Sequence, residues 1–314
     1  MSPATGLVWA AGCLRHQPGI GHPESPRRLE AIRHALETAG LWQRCRPLAA
    51  RAATDTELLR CHTLAYLATV KADIAAGRSE LSTGDTTLSP HSDEAARLAV
   101  GGGLVAVEAV LAGQVRNAFV AVRPPGHHAS ADRGMGFCIY NTVALAARHA
   151  QASGGAERVL IVDWDVHHGN GTQAIFWRDP SVLLVSVHQS PLYPGSGATA
   201  EEGEGAGRGF TRNYPLSPGS GGAEVLGVLR DRLVPAAEAF HPSLVLISAG
   251  FDGLRGDPLA SFRLSAADIT DLTVLVRDLA ERHAEGRLVS VLEGGYQLDN
   301  LSAGVIAHVE ALLA

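Results

Sequence analysis

The chain has 314 residues, 46% hydrophobic and 18% charged, with a net charge of −6. That composition fits a globular protein with ample apolar material for a large core, as one α/β domain or two small ones. The charge shows no long run of one sign, which argues against a surface that coats nucleic acid, and no stretch reaches the ~18 apolar residues of a membrane span.

In chain order, Leu7–Ala10 starts a first strand, and Pro26–Ala39 is helical with Leu29, Ile32, Ala35 and Leu36 on one face. An Ala-, Val- and Leu-rich helix follows over Ser92–Ala112. The strand Asn117–Val122 precedes a helix over Asn141–Ala152, and two further strands follow at Arg158–Asp163 and Val182–Val187. A helix over Ala223–Phe240 and the strand Ser243–Ala249 come next. The chain closes with a helix over Ser265–His283, the strand Leu288–Glu293 and a helix over Asn300–Leu313. Ser265-Ala-Ala-Asp268 resembles a capping box with Asp in place of Glu. The strands are almost continuously apolar, as expected where both faces are covered, so the alternation predicts a parallel sheet with helices on both faces. Loops rich in Gly and Pro at 12–26, 123–136, 195–222 and 250–258 follow strands or join sheet elements. None reads as a linker, and one domain over 1–314 is expected. Met1–Gly6 lacks the basic-then-apolar pattern of a leader. Cys13, Cys45, Cys61 and Cys138 are widely spaced with no CxxC pair, so they read as reduced thiols of a cytoplasmic protein.

The chemistry gathers at strand ends, where open parallel sheets place ligands. The strand ending at Asp163 runs on through Trp164-Asp165-Val166-His167-His168. At a spacing of two, Asp163, Asp165 and His167 point to one side of extended backbone. Two carboxylates and an imidazole suit a borderline divalent ion such as zinc. A second strand ends in Gly250-Phe251-Asp252, a further carboxylate at an equivalent place. Spacing alone therefore offers Asp163, Asp165, His167 and Asp252 as ligands. A third strand ends in Arg123-Pro-Pro-Gly-His127-His128. Adjacent residues of an extended chain do not usually bind one ion together, so proton transfer suits this pair better. A fourth strand ends in Glu293-Gly-Gly-Tyr296, where a phenol is placed to donate to an oxyanion.

Six segments in this order resemble the histone deacetylase family in its wide sense, which includes bacterial acetylpolyamine amidohydrolases. They are RPPGHHA (123–129), GMGFCIYN (134–141), DWDVHHGNGTQ (163–173), SVHQSPLYPGSG (186–197), SAGFDGLRGDPLA (248–260) and LEGGY (292–296), with wording closest to the class II branch. The resemblance implies the arginase–deacetylase fold, one α/β domain with a largely parallel sheet of about eight strands. It implies zinc on Asp165, His167 and Asp252. Asp163 leaves the zinc shell to support His127, and with Asp165, His167, Ser186 and Val187 it forms a site for a structural K⁺. His128, backed by Asn170, becomes the general base and acid, and Tyr296 the oxyanion donor. Phe137 and Tyr193 become walls of a narrow tunnel, and the Gly136 carbonyl accepts from the substrate amide.

The implied partner is an acylated lysine of a protein or peptide, or a small acylated amine. Leu259 stands where polyamine-selective relatives can carry a Glu, and that neutral rim favours acyl-lysine. Asp85 reads either as a rim residue that grips substrate backbone or as a plain loop residue. An arginase-like binuclear manganese hydrolase would need more Asp ligands than these segments supply. A non-catalytic binder of acylated ligands would not need the complete chemical set. Oligomeric state is not fixed by the sequence.

Overall fold

The computed structural model describes residues 5–314. The first four residues of the stretch read for a leader lie outside them. Eight strands form one sheet: β1 (Thr5–Trp9), β2 (Arg46–Leu48), β3 (Asn117–Ala121), β4 (Val159–Asp163), β5 (Val182–Gln189), β6 (Thr211–Leu216), β7 (Leu244–Ala249) and β8 (Leu288–Leu292). The spatial order is β2-β1-β3-β8-β7-β4-β5-β6, and every pairing is parallel.

Five of the six inner strands, β3, β8, β7, β4 and β5, are buried along their whole length, as their unbroken apolar runs require. The helices are α1 (Arg27–Thr38), α2 (Asp55–Leu58), α3 (Leu64–Ala75), α4 (Ser92–Leu111), α5 (Thr142–Ala152), α6 (Asn170–Phe176), α7 (Gly222–Val228), α8 (Val234–Phe240), α9 (Ala266–His283) and α10 (Leu298–Leu313). Helix α10 packs on α1 and α9, and α4 packs on α5. Adjacent residues of β3 show that these groups cover opposite faces. The Phe119 ring meets His308 of α10, whereas Val120 faces Gly102 of α4. The capping box at Ser265 is formed, with Asp268 as its third helical residue.

The helix expected over Ala223–Phe240 is α7 and α8 joined by a π-helical turn at Leu229–Leu233. Two strands escape the sequence pattern. β2 is three residues long and β6 lies inside the expected 195–222 loop. Both are edge strands that carry a proline, and β6 is only partly buried, so neither shows a buried apolar run. Helices α2, α3 and α6 also fall where the alternation assigned nothing.

One topological feature positions the site. After β3 the chain crosses to β4, and β7 and β8 later fill the gap between them. The strand ends that carry four of the six motifs thus lie on four neighbours, β3, β8, β7 and β4, at a switch point of the sheet, and a fifth motif lies on the adjoining β5.

Candidate metal centre and tunnel

Beyond β4 the backbone does not stay extended but bends over residues 165–167, with Asp165 N–H donating to Asp163 Oδ1 at 3.1 Å and His167 N–H to Asp165 Oδ1 at 2.9 Å. Asp165 Oδ1 lies 3.1 Å from His167 Nδ1, and Asp252 Oδ2, from the end of β7, lies 3.2 Å from the same nitrogen. One donor atom from each residue lies within 4.8 Å of the others, and all three residues are buried.

Backbone amides hold the far side of each carboxylate. Gly294 N–H donates to Asp165 Oδ2 at 2.8 Å, and Val166 N–H donates to Asp252 Oδ1 at 3.1 Å. A Cβ on Gly294 would strike both carboxylates, so glycine is needed there for close approach of the β8 loop. Burial and the charge of Asp165 push the Asp252 carboxyl above the usual carboxylate range. Two buried carboxylates aimed at one imidazole nitrogen form a donor set that a divalent cation satisfies, with room for substrate oxygen as a further ligand. Asp163 is not one of the three donors. Its Oδ2 lies 3.0 Å from His127 Nδ1 instead.

The loop after β3 presents the tandem histidines, whose ring centroids are 4.0 Å apart. His128 Nδ1 lies 2.8 Å from Asn170 Oδ1, at the start of α6. An amide oxygen only accepts, so His128 carries its proton on Nδ1 and keeps Nε2 as a base. The environments of the two rings differ. Burial lowers the His127 pKa, but Asp163, then Asp165 and Glu293, outweigh it and raise it to about 10. Burial, then the neighbouring His127 and His167, holds His128 well below its ordinary value. Two adjacent rings are thus pushed in opposite directions, His127 toward its charged form and His128 toward its neutral form.

A cavity of about 260 Å³ opens above the donors, and all the expected wall residues line it. Tyr193 stands edge-on to His128, with ring centroids 5.3 Å apart, and Phe137 stands edge-on to Tyr296 at 5.8 Å. Phe137 holds a left-handed backbone, with φ of 68°, which swings its ring into the tunnel. Gly136 beside it has no room for a Cβ against the His128 and Tyr193 rings. Leu259 lies at the mouth. Tyr296 lines the cavity under the Arg28 guanidinium, 5.0 Å from its ring centroid. Burial pushes the phenol well above its usual pKa, so it is a proton donor at neutral pH.

The mouth is not wholly neutral, contrary to the reading from Leu259. Asp85 also lines it, accepting from Gly136 N–H at 2.8 Å and from the Tyr193 hydroxyl at 3.0 Å. Ser186 sits in register with Asp163 across the β4–β5 ladder, and Val187 is the next residue. The Ser186 hydroxyl lies 2.9 Å from His188 Nδ1. His168, the second histidine of its motif, turns away from the tunnel to Ser196 and Gln173.

Sequence reasoning assigned no role to Glu24, Arg28, Asp257 or the Glu293 side chain. Glu293 accepts from Gly126 N–H at 2.7 Å and His127 N–H at 3.2 Å, which fixes the histidine turn to the tyrosine loop. Asp257 and Glu293 stand inside quoted segments, which was the available signal for them, whereas Glu24 and Arg28 stand outside all six.

The family model described as histone deacetylase domain matches residues 22–312. The chain belongs to the histone deacetylase family. Among curated relatives it is 44% identical to a histone deacetylase-like amidohydrolase of Pseudomonas aeruginosa, over 91% of this chain and 75% of that protein. It is 43% identical to histone deacetylase 15 of Arabidopsis thaliana and 42% identical to the polyamine deacetylase HDAC10 of Homo sapiens, over 93% and 92% of this chain. It spans 53% and 44% of those two longer proteins. The crystal structure of the HDA15 HD domain superposes with a TM-score of 0.95 at 40% identity, covering 100% of this chain and 89% of that one. The sheet is thus that of the arginase–deacetylase fold, and the histone deacetylase family places the chain among deacetylases and amide hydrolases.

Proposed function

We propose that the chain is a zinc-dependent deacylase that hydrolyses the amide of an acylated lysine side chain. The observation that carries this reading is the convergence of Asp165, His167 and Asp252 at the floor of a tunnel that His128 and Tyr296 also line. Asp165, His167 and Asp252 would hold the zinc, which when bound supplies Lewis-acid polarisation of the carbonyl and acidifies water.

The side chains do the rest. Phe137 and Tyr193 flank the aliphatic chain, and the Gly136 carbonyl accepts from the substrate amide. His128 Nε2 takes the proton from the attacking water and returns it to the departing amine. His127, paired with Asp163, keeps a positive charge beside that exchange. The Tyr296 hydroxyl donates to the carbonyl oxygen as it gains charge. Asn170 fixes the tautomer of His128. Asp163, Asp165, His167, Ser186 and Val187 are assigned to a structural K⁺ beneath the site. Four buried free thiols fit a reducing, cytoplasmic setting.

Leu259 at the mouth supports acyl-lysine over a substrate with a second ammonium. Asp85 at the same mouth, and the name of the human relative, support the other reading, an acetylpolyamine deacetylase. Turnover of a fluorogenic acetyl-lysine peptide, compared with N-acetylputrescine, decides between them. Tyr296→Phe should lower kcat on the preferred substrate by about 10²–10³, as loss of one oxyanion donor does, at unchanged zinc content. Wild-type kcat in that variant would sink the role of Tyr296, and peptide inertness with rapid N-acetylputrescine turnover would sink acyl-lysine.

A further inference from the structure

Asp257 opens the Asp-Pro-Leu segment that ends at Leu259, five residues beyond Asp252, and is only 6% exposed. Both of its carboxylate oxygens are used, each on backbone. Oδ1 accepts from Leu259 N–H at 3.0 Å. Oδ2 accepts from Tyr296 N–H at 2.7 Å and from Gln297 N–H at 3.3 Å. One buried side chain therefore holds the main chain at two places that face the tunnel, its mouth at Leu259 and its tyrosine at 296.

The tyrosine end has need of such a hold. Residues 293–297 leave β8 and enter α10 without regular structure, and Gly295 turns there with φ of 119°. The Arg28 guanidinium binds the carbonyls of Glu293 and Gly295, so the acceptors of this loop are held from one side. Asp257 supplies the matching acceptor for its donors. Asp257 is itself placed by a turn in which its N–H reaches Leu254 O at 3.2 Å, with Gly256 in a positive-φ conformation.

We propose that Asp257 is a positioning residue for the hydrolytic step, coupling Leu259 at the tunnel mouth to the Tyr296 hydroxyl at its floor. The proposal rests on the reading of Tyr296 as the oxyanion donor. A donor works only where its hydrogen meets the charged oxygen of the transition state, and displacing such a group by about 1 Å costs on the order of 10²-fold. Asp257 does not line the cavity, whereas Leu259 and Tyr296 do. It acts on kcat through Tyr296 and on KM through Leu259.

The test is a double-mutant cycle with Asp257→Ala and Tyr296→Phe, read by kcat and KM on the preferred acylated amine, with zinc content measured for each protein. Asp257→Ala should lower kcat by roughly 10–100-fold with zinc retained, and shift KM by no more than a few-fold. In the Tyr296→Phe background the same change should leave kcat untouched, because the hydroxyl it positions is gone, while the KM shift persists. Equal kcat losses in both backgrounds, or wild-type kcat in Asp257→Ala, would overturn the role of Asp257. Wild-type kcat in Tyr296→Phe alone would instead overturn the oxyanion reading and the coupling with it, so the two failures are separable. If the Ala variant does not fold, Asp257→Asn takes its place in the cycle. It keeps the shape but turns an NH₂ toward one of the two backbone segments, and the same non-additivity is expected of it.

Discussion

Glu24 is the perturbation whose size the structure defines best. Its carboxylate, fully buried, meets Arg123 Nη2 at 2.6 Å and Nε at 2.7 Å, with Arg28 at 3.3 Å and His16 Nε2 at 3.6 Å. Arg123 begins the histidine loop, and Arg28 holds the tyrosine loop. Glu24→Gln keeps the shape and removes the charge, leaving two buried guanidinium groups short of a counter-charge. Breaking a buried ion pair from one side costs about 3–5 kcal/mol. The pH dependence gives an independent figure. Burial pushes the Glu24 carboxyl up, but the charge and hydrogen bonds of Arg123, with His16 and Arg28, hold it at about 2, against 4.5 for the free group. That difference corresponds to about 3 kcal/mol of stability. The folded-state value is depressed, so the contribution is complete above about pH 4.5 and is lost as the pH falls toward 2.

Urea denaturation of both proteins at several pH values checks this. Glu24→Gln should be less stable by about 3–5 kcal/mol at pH 6, with the gap shrinking by about 3 kcal/mol on acidification toward pH 2. Taking the difference between the two proteins removes the titration of the donor site, which both share. A gap below about 1 kcal/mol at pH 6, the value of an exposed pair, would refute the reasoning. So would a gap that does not change on acidification.

Two further outcomes follow from the site. Gly294→Ala pushes a methyl group against Asp165 and Asp252, and should weaken zinc binding by about 10–100-fold in competition with a chelator of known affinity. Leu259→Glu adds a second carboxylate to a mouth that already holds Asp85, and should raise kcat/KM for N-acetylputrescine relative to an acetyl-lysine peptide by about 10-fold or more, the scale of one close charge pair. An unchanged ratio would mean that the mouth does not select by charge.

The strand ends were legible in the sequence because each chemical motif directly follows an apolar run. Asp163, Asp165 and His167 announce themselves by a spacing of two after Val159–Asp163, and Asp252 by its place after Leu244–Ala249. Periodicity cannot report that β7 and β8 insert between β3 and β4, since sheet order is set by long-range packing. Short edge strands lack the buried run that marks a strand, and α6 has seven residues, too few for a stripe. The Thr54–Glu57 capping box of α2 was a usable signal that the alternation passed over. The supporting carboxylates were hidden for a different reason. Glu24 and Arg123 are 99 residues apart, and Asp257 and Glu293 act on backbone N–H groups that any residue type supplies. Asp85 reaches the mouth by a long loop, so the neutral rim inferred from Leu259 was incomplete.

In the proposed mechanism Asp165, His167 and Asp252 hold the metal on which hydrolysis depends. Metal content and turnover of an acylated amine, measured on one preparation through stripping with a chelator and stepwise return of zinc, test it most directly. Turnover should vanish with the metal and return in proportion to zinc up to one ion per chain, while Asp252→Ala neither retains the ion nor recovers. Undiminished turnover in the metal-free protein, or full recovery in Asp252→Ala, would contradict it.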